Sequence, residues 1–339
     1  MRRRERAWRA MWFAVLLALT AAVFLLSVGL GSVEFTPGEI LQVFSGGTSP
    51  QKNAYLIILR VRLPRTVAAL AGGAALGTAG LLLQAFFSNP IVEPYVLGVS
   101  SGASLFVALV TLGGFTFGVA RVTPLFLFLG AFAGAMVVML AVLLAASRVK
   151  SAATLLIVGL MAGYVCSAAT SILSAFAQRE QIANYALWSM GSFSGFTWGQ
   201  VGILCALTAA AFLGSLLLAK PLNALRLGDR YAGSMGIHVK GTRCAIILLS
   251  SVLTAAVTAF AGPVSFIGLA VPHICRILLR TSDSRLLLPA VALAGALMAC
   301  ACDLAARLVV APAELPLGAI TSLIGAPVVV FLLTRREKL

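Results

Sequence analysis

Apolar runs long enough to cross a bilayer recur from one end of this chain to the other, and nothing else in it constrains the fold as tightly. Ten are predicted, over residues 11–31, 66–87, 95–113, 123–146, 154–176, 199–219, 243–261, 264–279, 287–309 and 318–334. A helix needs about 20 residues to span the hydrocarbon core. Inside lipid every backbone N–H and C=O must be satisfied within the protein, which leaves helices for segments of this length. Of the 339 residues 60% are hydrophobic and 10% charged, with mean hydropathy +1.04. The reading is one all-α membrane domain over 1–339, a ten-transmembrane-helix bundle with no separate soluble part. The first run follows "MRRRERAWR" and resembles a signal peptide, but it is longer than an h-region of ~7–15 residues and no A-x-A site follows. It is read as a retained span.

A net charge of +15 raises the question of nucleic acid, which would need Lys and Arg grouped on one folded surface. Here the charges follow the spans. With the amino terminus inside, inner segments hold 18 of the 25 Lys and Arg: the arginines at 2, 3, 4, 6 and 9, then Arg148, Lys150, Lys220, Arg226, Arg230, Lys240, Arg243, Arg276, Arg280, Arg285, Arg335, Arg336 and Lys338. The remainder are Lys52, Arg60, Arg62, Arg65, Arg121, Arg179 and Arg307. That bias satisfies the positive-inside rule and puts both termini in the cytoplasm, which an even number of spans requires. No nucleic-acid partner is expected; the surrounding partner is membrane lipid.

Lipid gives no hydrophobic drive for helices to associate, so small residues that permit close backbone approach do that work. Gly73/Gly77 and Gly130/Gly134 have GxxxG spacing, read first as packing within the chain and second as a dimer seam. Ionisable groups within spans are few: Asp303 and Arg307 lie four apart on one helix face, with Glu93 and Glu314 in adjoining loops. A charge at membrane depth costs about 2.5–3.5 kcal/mol on insertion scales, so pairing or a cavity is expected. Mutual neutralisation and a functional role both stay open for Asp303.

Most chemical motifs fail on context. "GVSSG" (98–102) fits G-x-S-x-G, but a nucleophile elbow needs a strand entering a helix, and this segment opens a span. His238 and His273, the two histidines, fall at inner positions, and no HExxH or Cys/His spacing suggests a metal. The six cysteines lack CxxC spacing and are read as packing residues. The Walker A pattern is absent, so no nucleotide hydrolysis is expected of this chain.

One polar stretch interrupts the apolar sequence, "RLGDRYAGSMGIHVKGTR" (226–243). Its pattern predicts two short helices broken at Gly236, suited to docking in a groove of another protein; an ordinary solvated loop is the alternative. "LGDRYAGSMGI" resembles the coupling-helix motif of the iron-chelate and vitamin B12 importer permeases, the FecCD family of type II ABC importers. "RLPRTVAALAGGAALGTAGLLLQAFFSNPIVEPYVLGVSSGASL" (62–105), "GPVSFIGLAVPHICRILL" (262–279), "DLAAR" (303–307) and "AELPLGAITSLIGAPVVVFLL" (313–333) resemble its other signatures in the same order.

The resemblance implies a ten-helix permease subunit, paired with a second copy or a homologue around a shared path, in the bacterial cytoplasmic (inner) membrane. Two ATPase subunits would bind ATP and magnesium and push on coupling helices at about 222–241. The coupling residues would be Leu227, Gly228, Asp229, Ala232, Gly233, Met235, Gly236 and Ile237. A periplasmic or lipid-anchored binding protein would deliver cargo, its acidic residues meeting Arg62 and Arg65 of "RLPR" and Arg307 of "DLAAR". Guanidinium–carboxylate bonds fix orientation as well as adding energy. Cytoplasmic gates would be Asn89 and Ile91 in "SNPIVEP", and Ser151, Ala152, Ala153 and Thr154; this second loop has two alanines where the vitamin B12 permeases carry hydroxyls. The subunit itself would hold no cofactor, metal or catalytic residue. An iron-siderophore is the first expected cargo, with cobalamin or haem as alternatives. Two rivals from other classes are an ion-coupled secondary carrier, which would need acidic relays this chain offers little of, and an intramembrane hydrolase acting through Ser100 or Ser101.

Overall fold

The computed structural model describes residues 2–31, 33, 35–45, 54–112, 123–149 and 151–336. Lys52, Arg121, Lys150 and Lys338 of the charge reading lie outside them. Among the described residues the chain is helical without strands. In order the helices are α1 (Arg2–Gly29), α2 (Pro37–Phe44), α3 (Ala54–Leu56), a π-helical stretch Ile57–Arg62, α4 (Leu63–Phe86), a 3-10 turn Pro94–Leu97, α5 (Val99–Thr111), α6 (Pro124–Arg148), α7 (Ala152–Phe176) and α8 (Arg179–Ser189). They continue with α9 (Trp198–Leu217), α10 (Ala219–Leu225), α11 (Asp229–Ser234), α12 (Val239–Ala261), α13 (Ile267–Leu279), α14 (Ser284–Leu308) and α15 (Leu317–Arg336).

Among the described residues seven segments are long and apolar enough to cross a membrane: Arg3–Gly29, Ala54–Phe86, Leu125–Ala146, Ala153–Phe176, Trp198–Leu217, Val239–Ala261 and Ser284–Leu308. Three shorter apolar helices, Val99–Thr111, Ile267–Leu279 and Leu317–Val330, stand where the other predicted runs fall. The 13-residue α5 and α13 rise only about 20 Å at 1.5 Å per residue, short of a full crossing. Three differences from the sequence reading have local causes. The second span starts at Ala54, because the π-helical stretch carries Arg60 and Arg62 as helix rather than loop. Short α2, α8 and α10 fill polar connections. Only one of the two short helices expected in 226–243 is separate: "VKGTR" is the first turn of long α12.

Helix starts follow side-chain caps. Thr123 Oγ1 accepts from the Phe126 amide at the head of α6, Thr197 and Gln200 form a reciprocal capping box on α9, and Asp283 caps α14. The core is the packing of α4 with α12, α13 and α14, and of α5 with α6 and α7. Close approach sets it: a Cβ on Gly73 would fall on the Gly295 carbonyl of α14, and one on Gly134 on the Gly102 carbonyl of α5. Both GxxxG motifs are therefore used inside the chain. The cysteines are free, with Cys166, Cys275, Cys300 and Cys302 buried, Cys205 half-buried and Cys244 exposed.

The two ends of the bundle differ in charge. At one, Trp8 Nε1 donates to the Leu278 carbonyl (2.9 Å) and Asn223 Nδ2 to Asp283 (2.6 Å), bringing Arg4, Arg9, Arg226, Arg276 and Arg280 to a common end. Arg62, Arg65 and Arg307 lie at the other, with Ser27, Asp303 and Glu314.

Candidate functional site

The polar stretch forms a braced, exposed elbow. Gly228 (φ 106°) and Gly236 (φ 79°) bracket α11 in left-handed conformations that side chains resist, and a Cβ at either would meet open space, so backbone angle alone calls for glycine there. Asp229 pairs with Arg243 of α12 at 2.8 Å, and Arg243 lies over the Phe86 ring (5.5 Å) at the end of α4. Ala232 is fully buried and its carbonyl accepts from the Ile237 amide (3.1 Å). Facing outward, Leu227, Tyr231 and Met235 are 67%, 51% and 59% exposed. Leu227 lies just before the Gly228 break, Tyr231 on α11 itself and Met235 at its C-terminal end. Sequence reasoning named Leu227 and Met235 but missed Tyr231, whose outward position shows only in its exposure. It also named Ala232 and Ile237, which pack inward; Gly233 sits on α11 with open space around it.

Asn223 and Asp283 tie α10 to the head of α14, with the Ser284 amide donating back to Asn223 Oδ1 (2.8 Å) and Arg226 donating to the Ser282 carbonyl. Burial raises the Asp283 carboxyl, but hydrogen bonds from Asn223 and the Arg285 amide, with the Arg285 and Arg9 guanidiniums, outweigh it and hold the group below the usual carboxylate range. A carboxyl depressed on folding stabilises the fold above its unfolded pKa, about 3.9, and that contribution is lost as pH falls through the folded value. Asp283→Ala is expected to cost about 1 kcal/mol at pH 7 through loss of the cap. In thermal unfolding the gap from wild type should close as pH drops below the carboxylate range; a gap unchanged at acid pH refutes the assignment.

The residues expected to gate the path lie in two separate places. Asn89 Oδ1 accepts from the Ile91 amide (3.0 Å), and exposed Ile91 lines a small recess with Leu269, His273 and Val329. Ser151 caps α7 by accepting from the Thr154 amide (3.4 Å); Ala152 opens that helix and Ala153 and Thr154 are exposed. No member of 151–154 lines the Ile91 recess.

Between α5, α7 and α8 lies a cavity of about 420 Å³ lined by the hydroxyls of Tyr95, Ser100, Ser101, Ser104, Ser167, Thr170, Ser171 and Tyr185. Thr170 and Ser171 donate to the Cys166 and Ser167 carbonyls one turn back. Neither histidine lines this cavity, so Ser100 and Ser101 have no imidazole base there. The sequence reading missed this hydroxyl-lined face; the i, i+3, i+4 spacing of Ser167, Thr170 and Ser171 was its signal. Among the described residues no His, Cys, Asp or Glu group is arranged to hold a metal.

At the opposite end the three arginines named for docking are turned inward: Arg62, Arg65 and Arg307 are 4%, 5% and 8% exposed. Arg62 donates to the carbonyls of Val28 (3.1 Å) and Gly29 (2.5 Å), which end α1 without helical partners, and to that of Val33 beyond it, and lies over Phe35. Arg65 meets both Asp303 oxygens from Nε at 3.0 Å and reaches Glu314 from Nη1 at 2.7 Å. Arg307 Nε stands 3.3 Å from Asp303, and its Nη2 donates to Ser27 Oγ (2.6 Å). Asp303 thus serves two guanidiniums from different helices; the sequence offered only the pairing four residues along.

The sequence model of the FecCD transport family matches residues 19–335. The chain belongs to that family. It is 34% identical over 322 residues to the hemin transport system permease protein HmuU of Yersinia pestis, covering 93% of this chain and 94% of that one. Against the vitamin B12 import system permease protein BtuC of Salmonella newport it is 35% identical over 337 residues, 99% and 98% of the two chains. Among solved structures, a metal-chelate type ABC transporter in an inward-facing conformation superposes with TM-score 0.85 at 28% identity, over 96% of this chain and 99% of that one. PsaBC from Streptococcus pneumoniae in complex with Fab, at TM-score 0.51 and 14% identity over 86% and 95% of the chains, shares the fold alone. A multi-pass membrane protein of the ABC permease type is the plain consequence.

Proposed function

We propose that this chain is the membrane-spanning permease subunit of an ATP-driven importer that passes a metal chelate inward, with an iron-siderophore as first cargo and haem or cobalamin as the alternative reading. Three exposed apolar side chains on a braced elbow, Leu227, Tyr231 and Met235, carry the proposal. Exposed apolar side chains on a braced, charged surface suit a groove on a partner, here the ATPase subunits that bind ATP and magnesium. The Asp229–Arg243–Phe86 chain runs from the elbow to the helix preceding Asn89, a route by which a push at the elbow reaches the gate. Ten spans with both termini at the cytoplasmic face agree with the basic residues gathered at the elbow's end of the bundle.

The hydroxyl lining favours the cargo class. A cavity with hydrogen-bonding hydroxyls and no charged side chain suits a large ligand whose metal charge is already neutralised by its own chelator. A second permease, a copy or a homologue, would complete the path in the cell inner membrane. At the outer end we infer that a binding protein docks by offering a carboxylate to Arg65 in place of Glu314, whose side chain is 43% exposed, while Arg62 and Arg307 hold the surrounding helices. Five groups of opposite sign leave a net +1 there, room for one more anion.

Proteoliposomes containing the chain, its ATPase subunits and the loaded binding protein should accumulate radioactive iron-siderophore only with ATP, and the chain alone should accumulate none. Uptake by the chain alone would establish a secondary carrier instead. Haem and cobalamin in the same assay decide the cargo.

A further inference from the structure

We propose that the basic end of α1, together with the turn after α13, forms a binding site for the phosphate headgroup of an anionic phospholipid. Arg4, Glu5, Trp8, Arg9, Met11 and Arg280 line a cavity of about 740 Å³ where these elements meet. Three guanidiniums face one carboxylate there, and Glu5 is already engaged by Arg9 at 3.7 Å. Among the described residues neither Arg4 nor Arg280 forms an ion pair with a carboxylate. Asp283, the other acid near Arg9, is bound to Asn223 and the Arg285 amide.

The walls are tied to neighbouring elements by specific contacts. Trp8 is anchored by its indole N–H on the Leu278 carbonyl (2.9 Å) and stands edge-on to Trp12 (5.9 Å). Arg280 takes a left-handed conformation (φ 47°) that non-glycine residues resist, and its guanidinium carbon lies 5.0 Å over the Trp8 ring. A guanidinium over an aromatic ring still has N–H donors to offer an acceptor, and phosphate oxygens match them. The backbone is thus held in a costly turn that sets Arg280 beside Arg4 and Arg9.

Location supplies the occupant. Arg3–Gly29 is a candidate span, so its basic end lies at a membrane interface whichever face that is, where arginine and tryptophan gather against headgroups. From the cavity, exposed Met11, Val15 and Leu19 continue up α1 at four-residue spacing, an apolar track for acyl chains. A soluble anion would use the arginines but not that track.

The test uses the full-length chain in neutral detergent, titrated with short-chain phosphatidylglycerol, phosphatidylcholine of equal chain length, and inorganic phosphate, read by tryptophan emission and by lipid retained in native mass spectrometry. Phosphatidylglycerol should bind at least about tenfold tighter than phosphatidylcholine and than inorganic phosphate. R4Q/R9Q/R280Q should lose that preference, whereas R230Q/K240Q, which neutralises two basic residues outside the cavity, should keep it. R280Q alone, which leaves the α1 charges intact, should lower the preference partway. Equal binding of the two lipids, inorganic phosphate binding as tightly as phosphatidylglycerol, or an undiminished preference in the triple variant would each overturn the proposal.

Discussion

Asp303→Ala is expected to remove about 3–5 kcal/mol of stability, the cost of breaking a buried ion pair by deleting one partner. Asp303 is 1% exposed and serves Arg65 at 3.0 Å and Arg307 at 3.3 Å, so its loss leaves two guanidiniums facing each other with only half-exposed Glu314 nearby. These arginines sit on α4 and α14, whose glycine-mediated contact is the centre of the bundle, and their repulsion acts directly to separate those helices. Glu314→Gln should cost far less, because solvent screens a carboxylate that exposed. The measurement is thermal unfolding in detergent of the single variants and of Asp303→Ala combined with Arg65→Ala. The double variant should be more stable than Asp303→Ala alone, since it removes one of the stranded charges. An Asp303→Ala protein within about 1 kcal/mol of wild type would show that the cluster is solvated and not structural.

The same cluster marks how far the sequence can be read. Apolar runs and the inner bias of arginine made the helices legible, since length and charge are local properties. GxxxG spacing likewise announced close packing, and Gly73 and Gly134 use it against α14 and α5. What one chain does not display is which helix lies against which: Asp303 meets Arg65 across 238 positions, so only Arg307, four residues along, was visible as its partner. The hydroxyl-lined cavity has the same origin, with Ser100 and Ser104 on α5 and Ser167 to Ser171 on α7 ordinary until the helices are set together. Short α5 and α13 were overestimated because apolar composition continues through the turns before them, where Gly98 and Phe266 take positive φ and interrupt the helix. At the elbow a motif supplied Leu227 and Met235, but only burial separates Tyr231, which faces out, from Ala232, which faces in.

That separation leads to the second large expected effect. Leu227→Ala, Tyr231→Ala and Met235→Ala together should abolish ATP-driven uptake while leaving the isolated chain as stable as wild type. Truncating a well-packed aromatic or long aliphatic anchor costs about 1–2 kcal/mol at a protein interface, so the three should weaken capture of the ATPase subunits by a hundredfold or more. Each is more than half exposed in the free chain, so little intrachain packing is lost. Ala232→Leu acts by another route, because the added volume must enter a site that is fully buried and push α11 off its support. That variant should lower the unfolding midpoint and lose uptake together. Measuring ATPase capture, uptake and midpoint for both separates contact from support: a triple variant that still binds the ATPase with wild-type affinity would remove the elbow from the coupling path, whatever Ala232→Leu does.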